Sequence, residues 1–304
     1  MESGTISLER VGSFDLQSTL ESGQSYTWDR ADGRMYERTG AVGATAWYHT
    51  VVPKSLAGTD AFVRVRQIDE RLEWESSIDA HEELCTLLRL DDDLDAIIES
   101  FPEEPAVSEA LDRFYGMRLV RDPPFSTLIS FICSAQMRVS RIHQMQRRLA
   151  ESYGTRVTFD GQTYHAFPTP EQLATATESE LRSLKLGYRA PYVRESAKMV
   201  ASGAHDPTKV RELSYESARS SLTEFVGVGE KVADCVLLFS LGFLEAVPLD
   251  TWIRRAIAER FPDCDRGTYA ETSRAIRARL GDSYAGYVQT YLFHHLRTKE
   301  MASV

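Results

Sequence analysis

Apolar and polar positions change their period once along this chain. Up to about residue 80 the period is close to two. Thr45–Val52 (TAWYHTVV) and Ala61–Ile68 (AFVRVRQI) are rich in aromatic and β-branched residues with rough alternation, the pattern of half-buried strands. Glycines and an Asp32-Gly33 pair separate such segments, and Asp-Gly favours the tight turn of a hairpin. A small antiparallel sheet is expected. From about Glu83 the period lengthens to that of a helix. Leu94–Phe101, Ser108–Phe114, Phe125–Ser134, Ile142–Tyr153, Pro170–Leu184, Tyr192–Ser202, Tyr215–Phe225, Lys231–Leu241, Ile253–Phe261 and Ala285–Leu296 all read as helices. Asp122-Pro123-Pro124, Thr169-Pro170 and Pro248 stand just ahead of expected helix starts, where a proline's fixed φ and missing N–H do no harm. No repeat of fixed period and no low-complexity segment interrupts the pattern. The fold class expected is α+β. An N-terminal antiparallel β domain over residues 1–85 precedes a mainly α-helical domain over residues 86–304.

Composition narrows the function classes. With 304 residues, 42% apolar and 26% charged, the chain resembles an ordinary globular protein with a sizeable core. Its longest apolar runs fall well short of the ~20 residues that span a bilayer. The opening MESGTISLER lacks the basic-then-apolar order of a signal peptide. The expectation is an intracellular protein, cytoplasmic or nucleoid-associated, with no membrane partner. Cys85, Cys133, Cys235 and Cys264 include no C-x₂-C pair, so a zinc finger or iron–sulfur cluster is not expected, and neither is any other cofactor. The net charge of −10 speaks against a binder of phosphate backbones. The basic residues are unevenly divided, however: only six of the 35 are lysine, at 54, 185, 198, 209, 231 and 299. Acidic excess with scarce lysine suits a halophilic setting. At about 1 M salt the screening length shrinks to about 3 Å and overall repulsion from DNA matters little. Full activity confined to about 0.1 M salt would contradict that reading.

The richest stretch is Leu222–Arg255. It reads as a helix, a short turn Val226-Gly227-Val228-Gly229, a second helix, and then Pro248 and Asp250 opening a third. The helix-hairpin-helix spans about 215–241. Backbone amides freed by the glycine turn beside a helix N-terminus form an anion site, one that seats a DNA phosphate without a side-chain charge. The turn is not a dinucleotide fingerprint, because a third glycine is absent. Nor is it a phosphate-binding loop, because Lys231 lacks the adjoining Gly and Ser/Thr. A plain αα-hairpin remains open. So do a solvated Lys231, an Asp250 that only caps its helix, and a Cys235 and Phe293 that only fill core.

A lysine in the first turn of the second helix, with Val247-Pro248-Leu249-Asp250 ending nineteen residues later, resembles the helix-hairpin-helix glycosylase superfamily. Gly227–Cys235 (GVGEKVADC) resembles, more narrowly, the active-site segment of 8-oxoguanine DNA glycosylases of the eukaryotic type. Phe131–Gln136 (FICSAQ), Leu186–Ala190 (LGYRA), Ser22–Tyr26 (SGQSY) and Tyr284–Gln289 (YAGYVQ) resemble its other signature segments, in its order. The resemblance implies excision of 8-oxoguanine from duplex DNA, opposite cytosine, followed by strand cleavage through a lysine Schiff base. The implied partner is double-stranded DNA carrying an oxidised purine, bound by a monomer.

Elementary chemistry agrees with those roles. Loss of a purine leaves positive charge on the sugar C1′, which a carboxylate such as Asp250 stabilises. A neutral amine attacks C1′ to form an imine, from which β-elimination cuts the strand. A lysine amine starts near pKa 10.4, and the positive end of a helix disfavours its charged form. Lys231 and Cys235 lie four apart, on one helix face, as do Gln289 and Phe293. By resemblance, Cys235 and Phe293 sandwich the flipped base, Gln289 reads its Watson–Crick edge, and Gly23 offers a carbonyl to its N7 proton. Also by resemblance, Tyr188 wedges the duplex, Arg141 and Arg189 hold the orphaned cytosine, and Gly227, Val228 and Gly229 bind phosphate. Two departures stand out. The family has an asparagine run after Phe-Ile-Cys-Ser, where this chain has Gln136-Met137-Arg138. It has a histidine two residues after the aspartate, where this chain has Trp252. Gln136 is long enough to fill the vacated base space, but Met137 makes no amide contacts. Trp252 offers one donor and no titrating nitrogen.

Three other readings make different predictions. A monofunctional alkylbase glycosylase of the same fold would use Asp250 and water, and would give no borohydride-trapped adduct. A non-catalytic hairpin module would bind duplex and release no base. An iron–sulfur glycosylase would be brown.

Overall fold

In the computed structural model, residues 1–37 and 45–302 are described. The N-terminal sheet has five antiparallel strands: β1 (Glu2–Ser7), β2 (Asp29–Arg30), β3 (Tyr48–Val52), β4 (Ala61–Ile68) and β5 (Arg71–Ser76), in the order β1-β5-β4-β3-β2. β4 occupies the whole of its expected segment. β3 starts at Tyr48 rather than Thr45, after a turn. Tyr48 pairs with Val65 and Val65 with Trp74, so one row of buried side chains crosses three strands. The same row continues to Gly4 on β1. A Cβ there would lie 2.6 Å from the Trp74 ring, so only glycine lets the indole cover the strand. On the outer face Arg66 pairs with Glu73 at 2.7 Å and Arg64 with Glu75, opposite charges placed directly across the ladder.

Most expected helices are present with shifted ends: Leu94–Glu99, Pro105–Phe114, Pro124–Cys133, Val139–Tyr153, Ala190–Ala201, Tyr215–Leu222, Thr251–Arg260 and Ala285–Ala302. Two expectations need correction. Pro170–Leu184 is two helices, Pro170–Ala174 and Glu178–Ser183. Thr169 and Thr177 each head a capping box, with Gln172 and Glu180 as partners, and the second box restarts the chain. Lys231–Leu241 is an α-helix only over Glu230–Val236; Leu237–Leu241 is a π-helical turn. There the Phe239 carbonyl accepts the Asp122 amide at 2.9 Å, and the Ser240 hydroxyl donates to the Asp122 carbonyl at 2.6 Å. The Asp122 amide thus takes the Phe239 carbonyl, and the Phe243 amide bonds to the Leu237 carbonyl instead.

Sequence reading missed helices at Leu16–Glu21, His81–Leu87 and Tyr269–Arg279, and a hairpin of β6 (Arg156–Phe159) and β7 (Gln162–His165). Asp160 and Gly161 turn that hairpin with φ of 51° and 72°. Phe159 and Tyr164 pack on Phe62 of β4, ring centroids 4.5 and 4.1 Å apart, which ties the sheet to the helical body. The segment after Leu16–Glu21 is bound more tightly still. Gln24 donates to the Arg118 carbonyl at 2.7 Å and accepts the Val120 amide at 2.9 Å. Ser25 donates to the buried carboxylate of Asp122, and Arg297 donates to the Glu21 carbonyl at 2.6 Å. The loop around Gly23 is therefore fixed against the helices.

Candidate active site

Between that loop and the helices lies a cavity of about 1480 Å³. It collects Gly23, Gln136, Lys231, Cys235, Asp250, Gln289 and Phe293, residues from five separate segments of the chain. Met137, Arg138 and Trp252, which belong to the two departures, line it as well. Its floor is aromatic: Tyr26 meets Phe131 edge-on at 5.6 Å, and Phe131 stacks on Phe239 at 5.5 Å.

Lys231 is the second residue of helix Glu230–Val236. Its Nζ donates to Ser134 Oγ at 2.8 Å, and the Ser134 hydroxyl donates to the Phe131 carbonyl at 2.7 Å. Nζ also sits 5.8 Å from the Phe131 ring centroid. Ser134 was not singled out from sequence, because nothing local marks a serine ninety-seven residues away as the lysine's partner. Asp250 caps helix Thr251–Arg260, its Oδ1 accepting the Ile253 amide at 2.9 Å. Burial raises its pKa; the Ile253 amide bond, the charge of Lys231 and the Trp252 amide pull the other way. The two charges thus sense each other across the cavity while each is anchored elsewhere. Cys235 lies one turn beyond Lys231, and burial pushes its thiol up to about 12, so it faces the cavity as a neutral, soft surface.

Gly23 has φ of +97°, and a Cβ there would stand 3.1 Å from Arg297 Nη1, 3.2 Å from Val139 and 3.5 Å from Phe293. Left-handed backbone and close quarters together demand glycine. Gln289 is buried, with Oε1 3.3 Å from the Thr290 hydroxyl. Phe293, one helical turn on, is half-buried at the cavity wall.

The remaining expected residues lie outside this cavity lining. Gly227 turns the hairpin at φ +83°, and a Cβ there would lie 2.6 Å from the Tyr192 side chain. The Ser196 hydroxyl holds the Val226 carbonyl at 2.9 Å. The first intrahelical bond of the second helix runs from the Ala233 amide to the Gly229 carbonyl at 3.0 Å, so the amides ahead of it form an open helix N-terminus. Gly229 has extended backbone and open space at its Cβ position, while Val228 is buried. Tyr188 is 51% exposed and Arg141 is exposed. Arg189 is not exposed. It is buried, donates to the Ala135 carbonyl, and lies 4.3 Å from the Tyr188 ring centroid. That carbonyl immediately precedes Gln136, whose φ is +52°.

The profile described as HhH-GPD superfamily base excision DNA repair protein matches residues 129–280, and the 8-oxoguanine DNA glycosylase N-terminal domain matches residues 7–128. The chain is similar to a probable N-glycosylase/DNA lyase of Methanothermobacter thermautotrophicus, 31% identical over 94% of this chain and 95% of that one. It is also similar to the N-glycosylase/DNA lyase of Saccharomyces cerevisiae, 33% identical over 81% of this chain and 67% of that one. Among solved structures it resembles the Clostridium acetobutylicum 8-oxoguanine glycosylase/lyase in complex with double-stranded DNA containing cytosine opposite 8-oxoguanine. That match has 26% identity, a TM-score of 0.81, and covers 94% of this chain and 93% of that one.

Proposed function

This chain belongs to the HhH-GPD superfamily of base excision DNA repair proteins, and from that premise we propose that it excises 8-oxoguanine from duplex DNA and then cleaves the strand as a lyase. The observation that carries the reading is the convergence of Lys231 and Asp250 on one cavity with Gly23, Cys235, Gln289 and Phe293. The relatives named N-glycosylase/DNA lyase support the chemistry, and the Clostridium complex supports the lesion.

The proposed steps use that geometry. The lesion leaves the stack and enters the cavity, where Cys235 and Phe293 flank it and Gln289 meets its polar edge. Desolvation makes a fixed carboxylate at Asp250 effective against the positive charge that grows on C1′ as the C1′–N bond breaks. Lys231 passes a proton to the departing purine and its nitrogen bonds to C1′; the ring C1′–O4′ bond then breaks and the sugar opens to an imine. Removal of a C2′ proton then expels the 3′ phosphate. The open amides at the start of the helix that follows Gly229 receive a backbone phosphate. With a net charge of −10 and six lysines, we read the working medium as concentrated salt.

The test is a labelled duplex with one 8-oxoguanine opposite cytosine, at low and at molar salt. The reading expects free 8-oxoguanine and a strand break without alkali, strongest at high salt. Release of alkylated bases instead would overturn the substrate. Breaks only after alkali would overturn the lyase step. Loss of activity at molar salt would overturn the salt reading alone.

A further inference from the structure

The Lys231 helix carries a second carboxylate that faces away from the cavity. Asp234 is fully buried. Tyr215 donates to its Oδ1 at 2.7 Å and Tyr269 donates to its Oδ2 at 2.7 Å; Arg219 stands 3.9 Å away. Burial pushes this carboxyl up to about 7, against the pull of both tyrosines and of Arg219 and Arg277. Holding a carboxylate in such a place costs free energy that a plain apolar core would not, and its geometry suggests a use.

Tyr269 does two things with one oxygen. Its proton goes to Asp234, and its lone pair accepts the Leu249 amide at 3.1 Å. Leu249 directly precedes Asp250. The hydroxyl therefore bridges the helix that bears the lysine to the chain segment that bears the aspartate. Tyr215 grips the same carboxylate, but its other neighbours are Ser273 at 3.3 Å and Arg219 at 3.2 Å, with no bond to the Asp250 segment among the described residues. Lys231 and Asp250 themselves are anchored to Ser134 and to Ile253. The Asp234–Tyr269–Leu249 chain is a direct tie between their backbones.

We infer that Asp234 and Tyr269 are positioning residues, which set the distance of Asp250 from Lys231 and so the rate of base excision. The inference rests on the roles given to Lys231 and Asp250 above. Small displacements are costly in such an arrangement: a misplacement of about 1 Å lowers rates by about a hundredfold.

Tyr269→Phe removes the bridging oxygen and keeps the ring; Tyr215→Phe removes the matched hydroxyl without touching Leu249. Three quantities are read on each purified, folded protein: the single-turnover rate of 8-oxoguanine release, affinity for the lesion duplex, and borohydride trapping on a duplex that already holds an abasic site. Trapping there needs the Lys231 amine but no base departure. For Tyr269→Phe the excision rate falls by about ten- to a hundredfold, with affinity and abasic-site trapping near wild type. Tyr215→Phe changes excision less than about threefold, on the scale of a hydrogen bond worth below 1 kcal/mol. Asp234→Leu, which is close in shape and has no acceptor, removes the other end of the same tie, shows the Tyr269→Phe pattern and stands in if that variant fails to fold. Wild-type excision in Tyr269→Phe overturns the inference. So does a parallel loss of excision and trapping, or an equal loss in Tyr215→Phe, because each describes general loosening. If wild-type protein itself neither excises nor traps, the fault lies with the functional reading instead.

Discussion

The base-facing wall of the cavity and the rim that would meet the duplex are built in opposite ways. On the wall, Gly23, Lys231 and Asp250 all line the cavity and are held. Gly23 is clamped by its loop's bonds to Arg118, Val120 and Asp122; Lys231 is bound to Ser134; Asp250 caps a helix. On the rim, Tyr188 and Arg141 are exposed, Arg189 is folded onto the Ala135 carbonyl, and Gln136 holds a left-handed backbone. The contrast teaches where each part draws its precision. Chemistry at C1′ needs groups fixed before the substrate arrives, so its residues sit at helix starts and in bonded loops. Recognition of an orphaned base needs groups that move into space only a flipped nucleotide vacates.

The contrast can be broken first on the wall. Asp250→Asn keeps a side chain that caps nearly as well, so the melting temperature changes little, while the excision rate falls by about a hundred- to a thousandfold. An unchanged rate would remove Asp250 from the chemistry. The wild-type pH profile sharpens the same point. Burial raises the Asp250 pKa above its ordinary value, and the ionised form is the useful one. Excision should therefore be lost, as pH falls, at a higher pH than an ordinary aspartate would give. An acid limb at the ordinary position would show that the carboxylate is not desolvated.

Next in size are the pocket side chains. Gln289→Ala and Phe293→Ala should lower affinity for the lesion duplex by about ten- to a hundredfold, the range for a lost buried contact, and leave undamaged duplex nearly unaffected. Equal losses on both duplexes would dissolve the distinction between wall and rim. On the rim, Arg189→Ala should reduce the preference for cytosine opposite the lesion by about fivefold, roughly one hydrogen bond, with little change in the intrinsic excision rate. A structure with DNA in which Arg189 stays on the Ala135 carbonyl would break the comparison outright. The smallest effect belongs to Gln136→Asn. Asparagine tolerates the left-handed region better, so thermal stability should rise by about 0.5 kcal/mol, and no rise would mean the backbone is not strained there.

How much of this was legible depended on whether the cause was local. The change of period near residue 80 announced the two-part fold, and Gly227–Cys235 with Asp250 announced the chemistry. The β6–β7 hairpin is legible too, since Asp160-Gly161 divides VTF from QTYH, and Thr268 with Glu271 marks the start of helix Tyr269–Arg279. Pro170–Leu184 looked continuous because apolar spacing survives the break that Thr177 makes. Ser134 as the lysine's partner, the stowed Arg189, the π-helical turn after Val236 and the tie through Tyr269 were not legible. Each depends on a contact between segments distant in the chain, to which no local period or cap responds.

The central claim is that Lys231 is the nucleophile in this cavity. The direct measurement is borohydride trapping on a duplex with one 8-oxoguanine opposite cytosine, for wild type and Lys231→Gln side by side. The account predicts a covalent protein–DNA adduct and strand cleavage for wild type, and neither for a folded Lys231→Gln. An adduct or cleavage that survives in Lys231→Gln would contradict it and place the nucleophile elsewhere.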